Sequence, residues 1–331
     1  MDEENLTSAI ELDSDHSSEI ALRPKTLDEF VGQGKVTKQL QLILKAATLR
    51  GEASEHLLFA GPPGLGKTTL AGIVANELDA AIRVTSGPSL THAGDLASIL
   101  SSLEPKEVLF IDEIHRMAKP AQEMLYIAME DFRVDVVVGK GVGASSIALP
   151  LPRFTVIGAT TRSGLLPTPM RDRFGFTGFM DFYEPEELLQ IVLRSANLLG
   201  VKIAHEAALE IAKRSRGTAR IANRILRRVR DWAHVHGDEQ IDLQATQNTL
   251  ELYEIDQAGL DNLDRRVLKS IIEQFAAGPV GVSTLANSIG EEVDTVESVS
   301  EPFLVRKGFI ARTKSGRVAT ERGILWYNTN I

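Results

Sequence analysis

The eight residues GPPGLGKT, Gly61 to Thr68, constrain this chain more than any other stretch. They satisfy the spacing GxxxxGK[ST] and stand between a short apolar run, HLLFA, and the helical pattern KTTLAGIVANEL. Strand, loop and helix in that order let glycine-flanked N–H groups turn inward around a phosphate. The helix start at Lys67 presents the positive end of its dipole, and Lys67 neutralises the terminal phosphate oxygens. Thr68 follows where a hydroxyl can hold magnesium. An ordinary glycine turn requires neither the lysine nor the hydroxyl.

Two more buried-strand signatures follow, EVLFIDEIH at 107–115 and FTVIGATT at 154–161. Strands alternating with helices predict a parallel α/β sheet. The first of these strands ends in adjacent acids, an arrangement in which Asp112 orders a magnesium shell and Glu113 polarises the attacking water. The second ends in GATTR, whose threonines would lie between the two acidic positions in the strand order of a P-loop ATPase. Thr161 is then placed to sense the γ-phosphate or the water, with Thr160 as the alternative.

After about residue 181 the strand signals stop. EPEELLQIVLRSANLLG, AHEAALEIAKRSRG and TARIANRILRRVRDWAHVHG read as three helices punctuated by glycine. Arg216, Arg220, Arg224 and Arg228 recur every fourth residue and are expected on one face, either solvated or directed at a ligand. Thr218 reads as a helix N-cap, which leaves Arg220 in the first turn as the best candidate for a γ-phosphate contact. From about 258 the order becomes a helix, a helix-turn-helix and a hairpin, FIARTKSGRVAT, which together predict a winged helix. Within the first half, FRVDVVVGKGVGASSIALPLPRF alternates apolar residues at Val134, Val136 and Val138, then at Ile147, Leu149 and Leu151, and reads as a β-hairpin with a glycine-rich tip.

Charge placement separates these regions. The net charge is −9, yet residues 211–232 hold eight bases against one acid and residues 303–322 hold six against one. Seven acids and no base fall in residues 1–20, which read as a disordered tail and not as a basic targeting segment. With 331 residues and no cysteine, two or three domains in a reducing, cytoplasmic setting are expected, without disulfides or thiolate metal sites. Arg312, Lys314 and Arg317 around the KSG turn suit phosphate contact. The helix EEVDTVESVSEP before the wing has no arginine, lysine, asparagine or glutamine to read base edges, so sequence-specific recognition is not expected.

The phosphate loop, DEIH, GATTR, the arginines of TPMRDRFGF and the RGTARIANR helix together resemble an AAA+ ATPase. More narrowly they resemble the RuvB branch-migration family, from LRPKTLDEFVGQ near residue 22 to GFIARTKSGRVAT. The resemblance implies an α/β P-loop (AAA+) nucleotide-binding domain with a helical lid domain and a C-terminal winged-helix domain. The expected boundaries are an acidic tail at 1–21, the ATPase domain at 22–180 with a hairpin at about 132–151, the lid at 181–257 and the winged helix at 258–331.

The resemblance further implies that Arg173 is an arginine finger acting on the ATP of a neighbouring subunit, with Arg171 less favoured and a surface ion pair to Asp172 the bland alternative. A finger in trans requires a ring, in this family a hexamer. The adenine pocket would fall on Leu22, Arg23 and Tyr183. Gly64, Gly66, Thr69 and the segment Glu130, Asp131, Phe132 would also lie close to nucleotide, and Arg220 would be the second sensor. ATP and Mg2+ are the implied cofactors. Arg312 and Arg317 are the implied DNA contacts, and the hairpin residues Val136, Val138, Ile147 and Leu149 the docking surface for the junction-binding partner RuvA. The Holliday junction, duplex DNA and the resolvase RuvC complete the implied partners. A clamp-loader or protein-remodelling AAA+ subunit is the alternative, sharing the ATPase motifs without needing a basic wing.

Overall fold

The computed structural model describes residues 6–8, 19, 21–138, 145–237 and 239–330. Most of the acidic tail and the whole glycine-rich hairpin tip lie outside these residues. The chain divides into two compact units, residues 23–183 and residues 184–331 together with the N-terminal residues up to Leu22.

The first unit opens with α1 (Gly34–Arg50), followed by β1 (Leu57–Ala60), α2 (Lys67–Glu77), β2 (Ile82–Ser86), α3 (Ala93–Ser101) and β3 (Val108–Asp112). It continues through α4 (Lys119–Asp131), β4 (Arg133–Val138), β5 (Ser145–Pro150), β6 (Thr155–Thr160), the short α5 (Thr168–Arg171) and β7 (Phe176–Phe179). Five strands form a parallel sheet in the order β2-β3-β6-β1-β7. The three central strands are the ones read from sequence, and their interiors are apolar and buried, with polar residues only at their ends. Phe59, Phe110 and Phe154 are fully buried, each contributing about 2–3 kcal/mol by removal from water.

Register decides what the sheet presents. Ala60 pairs with Thr160, Ile111 with Gly158, and Ser86 with Asp112, so the loop after β1, the acids after β3 and the threonines of β6 emerge along one edge. Ligands of open α/β sheets bind outside this carboxyl edge. Since β6 lies between β1 and β3, the threonines abut the acid-bearing strand from one side and do not stand between the two acids.

His56, just before β1, ties the sheet together. Its Nδ1 accepts from the Val156 amide at 2.9 Å and its Nε2 faces the Met129 carbonyl at 3.2 Å, an arrangement satisfied only by the neutral Nε2–H tautomer. Burial lowers its pKa from 6.5 to about 4, against the opposing pull of the Met129 carbonyl. The neutral ring is therefore favoured in the fold, and stability present above pH 6.5 is lost as pH falls toward 4, by about 3 kcal/mol at the limit. The protection of the β1 and β6 amides, taken relative to the intrinsic exchange rate at each pH, should fall between pH 6.5 and 4.5, and fall less in a His56→Gln variant, which can still donate and accept. An equal loss of protection in both proteins would contradict this assignment.

The second unit begins with four helices, α6 (Pro185–Leu198), α7 (His205–Arg214), α8 (Ala219–His236) and α9 (Leu243–Leu252). The last of these was not read from sequence; its N-cap Asp242 accepts from the Ala245 amide. There follow α10 (Asn262–Lys269), α11 (Val282–Ile289) and α12, which begins at Val293–Thr295, widens through Val296–Ser300 and continues over Glu301–Arg306. A hairpin of β8 (Ile310–Thr313) and β9 (Gly316–Ala319) leads into α13 (Glu321–Asn330). Leu263, Val267, Leu285, Leu304, Phe309 and Tyr327 form the core of this region.

Candidate nucleotide site and nucleic-acid interface

The phosphate loop has the backbone its glycines predict. Gly61, Gly64 and Gly66 all have positive φ. A Cβ on Gly61 would sit 2.4 Å from the Met180 carbonyl oxygen, and one on Gly66 would press on the Phe30 ring at 3.2 Å. Lys67 is buried, and its Nζ donates to the Gly61 and Pro62 carbonyls at 2.8 Å each, which folds the ammonium over the loop as a cation would lie above bound phosphates. The segment after Arg23 is tied to the far end of α2, where Asn76 donates to the Lys25 carbonyl and the Leu27 amide donates to Glu77; the loop itself is met by Tyr183, whose hydroxyl donates to the Leu65 carbonyl at 2.9 Å. The residues present fit a nucleotide phosphate chain, with glycine amides and Lys67 to hold it, Thr69 beside them, and Thr68 and Asp112 as the hard oxygens that would suit magnesium. Leu22 and Arg23 fall on opposite sides of the division between the units, and the Leu22 carbonyl accepts from Arg194 at 2.7 Å.

Glu113 has φ 46, a left-handed conformation costly for a non-glycine residue and common where a side chain is aimed for function. Its carboxylate accepts from the Thr161 hydroxyl at 3.1 Å and lies 3.3 Å from His115 Nδ1. Thr160 is fully buried and bonds His115 Nδ1 at 2.9 Å while accepting from the Arg162 amide. The two threonines thus divide the work: Thr161 orients the acid and Thr160 orients the histidine. Burial lowers the His115 pKa, with Glu113 opposing and Arg162 reinforcing.

Arg173 is brought against Glu130. Its Nε and Nη2 lie 3.1 and 2.7 Å from the Glu130 carboxylate, Nη2 donates to the Tyr126 hydroxyl at 2.8 Å, and the guanidinium stands 5.0 Å over the Tyr126 ring. The hydrogen bond from Arg173, seconded by Tyr126, holds the Glu130 carboxyl below its usual range. Arg171 donates to the Thr168 hydroxyl. Asp131 pairs with Arg133, while Phe132 turns inward onto His56, Phe154 and the Arg153 guanidinium.

The arginines expected on one solvated face are not so disposed. Arg216 precedes α8 and is left-handed, with φ 52; Arg224 is buried and donates to the Ser8 carbonyl. Arg220 lies in the first turn of α8, 3.2 Å from the Glu19 carboxylate. Thr218 occupies the N-cap position, but its hydroxyl donates to the Ser215 carbonyl and does not cap the helix.

Residues 22–180 match the family "Holliday junction DNA helicase RuvB P-loop domain", residues 183–256 the "RuvB AAA lid domain" and residues 257–328 the "RuvB C-terminal winged helix domain". The chain belongs to the RuvB family. It is 61% identical over 319 residues to the Holliday junction branch migration complex subunit RuvB of Pseudarthrobacter chlorophenolicus, covering 96% of this chain and 88% of that one. To the protein of the same name from Thermobifida fusca it is 63% identical over 306 residues, covering 92% and 87%. The Thermotoga maritima RuvB Holliday junction branch migration motor superposes with a TM-score of 0.84 at 50% identity, covering 94% of this chain and 99% of that structure. This chain is accordingly a P-loop AAA+ ATPase with a helical lid and a winged helix.

The RuvB wing carries a feature that the sequence did not disclose. Arg312 and Arg317 face each other across the β8–β9 ladder, and both guanidinium groups converge on Glu301, whose side chain is almost fully buried. Arg317 also reaches Glu297 at 2.8 Å. Arg317 is the more enclosed of the two, with 15% of its side chain exposed against 56% for Arg312. In the β4–β5 hairpin, Ile147 and Leu149 are exposed. The side chains of Val136 and Val138 lie outside the described residues. His115, Tyr126, Glu297 and Glu301 are site residues that sequence reasoning assigned no role; only His115 had a local signal, its place in DEIH.

Proposed function

We propose that this chain is a cytoplasmic ATP-driven motor that assembles as a hexameric ring and translocates duplex DNA, driving Holliday junction branch migration together with RuvA. One observation carries the reading: a hydrolysis-competent sheet edge and a winged helix occur in one chain that matches all three RuvB domains. Its domains are taken as 22–180, 181–257 and 258–331.

In this reading the loop amides and Lys67 grip the β- and γ-phosphates, and Thr68 with Asp112, through water, holds Mg2+. The metal neutralises charge on the phosphate oxygens. Glu113 takes the proton of the attacking water, and the Thr161 hydroxyl keeps its carboxylate in line. Arg173 must leave Glu130 to reach the neighbouring subunit's γ-phosphate, which makes the site complete only in a ring. Leu22, Arg23 and Tyr183 flank the base, and Arg220 follows the γ-phosphate from the lid. Arg312 and Arg317 contact backbone phosphates without reading sequence, as a translocating protein requires. RuvC joins through the assembled complex.

The hairpin offers a direct test of the partnership. Exposed Ile147 and Leu149 stand two residues apart on β5 and present an apolar patch. Replacing both by Asp should abolish RuvA binding, read by gel filtration or titration, while basal ATP turnover persists. Retained binding would remove the hairpin from the interface.

A further inference from the structure

Arg216 has no part in the reaction described above, yet it is among the most enclosed charged residues of the second unit, 5% exposed. It follows α7 with φ 52 and precedes Gly217 with φ 69. Two successive left-handed residues turn the chain between α7 and α8 and send the Arg216 side chain to the start of the winged helix. There its Nη2 lies 2.5 Å from Asp264 and 3.1 Å from Asp261, its Nε donates to the Gly259 carbonyl at 2.9 Å, and its guanidinium stacks 4.4 Å over Phe303. In return the Arg216 carbonyl accepts from Arg306 of α12 at 2.6 Å. The approach is close enough to demand glycine at 259: a Cβ there would lie 3.2 Å from the Arg214 carbonyl oxygen, at a φ of +84.

The acceptors are themselves built into the winged helix. Asp261 and Asp264 form the reciprocal cap of α10, and Asp264 also accepts from the fully buried Ser300 hydroxyl at 2.6 Å. Next to Ser300 stands Glu301, the carboxylate on which Arg312 and Arg317 converge. A continuous polar linkage therefore runs from the turn four residues before Arg220 to the base of the wing. Burial pushes the Asp264 carboxyl up to about 7, whereas Arg216, Thr7 and the Asp264 amide together hold Asp261 below its usual range despite burial. An apolar contact in this place could slide; a desolvated guanidinium between two fixed carboxylates has essentially one seating.

We propose that Arg216 is a positioning residue that locks the lid to the winged helix, so that rotation of the lid on nucleotide turnover is delivered undiminished to the DNA-contacting wing. The proposal rests on the motor reading only for its consequence; the lock itself is testable separately.

Two variants of the intact protein serve, Arg216→Met, which keeps the contact with Phe303, and Asp264→Asn, which keeps the shape of the acceptor. ATP turnover should remain close to wild type while junctions dissociated per ATP fall about tenfold or more. Coupling equal to wild type would overturn the proposal, and so would a parallel loss of melting temperature, ATP turnover and junction dissociation, which marks a residue needed only for folding. Since the chain has no cysteine, spin labels on single cysteines at exposed Val235 and Lys314 report the lock without reference to DNA. The label-to-label distance distribution should be narrow in the wild-type background and broaden with Arg216→Met; equal widths would overturn the lock. Broadening in a protein whose wild type never dissociates a junction would uphold the lock and reject the motor.

Discussion

Glu113→Gln should lower ATP turnover by about 10²–10⁴-fold while nucleotide binding stays near wild type. The size of the effect follows from geometry. The amide oxygen of Gln can still accept from Thr161, so the side chain keeps its orientation and loses only the capacity to take a proton. In the proposed reading binding rests on the loop amides and Lys67, whose ammonium bonds to the Gly61 and Pro62 carbonyls and not to Glu113. Turnover equal to wild type, measured by phosphate release at saturating ATP and magnesium, would show that the acid after β3 is not the base and would leave a nucleotide-gated scaffold as the better description.

Arg173→Ala should cost about 10³–10⁵-fold in turnover, the range expected when an arginine finger is removed. Arg173 rests on Glu130 and Tyr126, so its removal leaves one exposed carboxylate and no buried charge, and the fold should survive. Its distinguishing property is action across a subunit boundary. Lys67→Ala subunits cannot bind phosphate productively, and Arg173→Ala subunits cannot complete a neighbour's site. Mixed together, each supplies what the other lacks, and some ATP turnover should return. Mixtures as inactive as their components would place the catalytic role of Arg173 within its own subunit or remove it.

The nucleotide edge was largely legible because it is built from contiguous motifs on fully buried strands. LLFA, VLFID and TVIGAT are apolar on both faces, and that pattern has few other uses in a chain of this kind. The two edge strands escaped notice for the complementary reason. IRVTS of β2 exposes Val84 and leaves its outer ladder unpaired, and FTGF of β7 is four residues long with a glycine inside; neither has a periodicity that separates it from a loop. The divided labour of Thr160 and Thr161 is not legible in sequence because Thr160 ends β6 and Thr161 begins the loop after it, and only the structure shows which carboxylate or ring each hydroxyl meets. The arginine series misled through its spacing. A four-residue recurrence implies a helical face only if all members are helical, and Arg216, left-handed before Gly217, is not. Charge and resemblance single out the wing arginines, but neither discloses Glu301, 11 and 16 residues earlier in sequence, on which both guanidinium groups converge.

The measurement that tests the central claim most directly is dissociation of a synthetic four-way junction by the intact protein with RuvA, ATP and magnesium, comparing wild type with Arg173→Ala. The account predicts RuvA-stimulated, ATP-dependent dissociation by the wild type and its loss in the variant. A wild-type protein that hydrolyses ATP but leaves the junction intact would contradict it, and would turn the reading toward a clamp-loading or protein-remodelling ATPase.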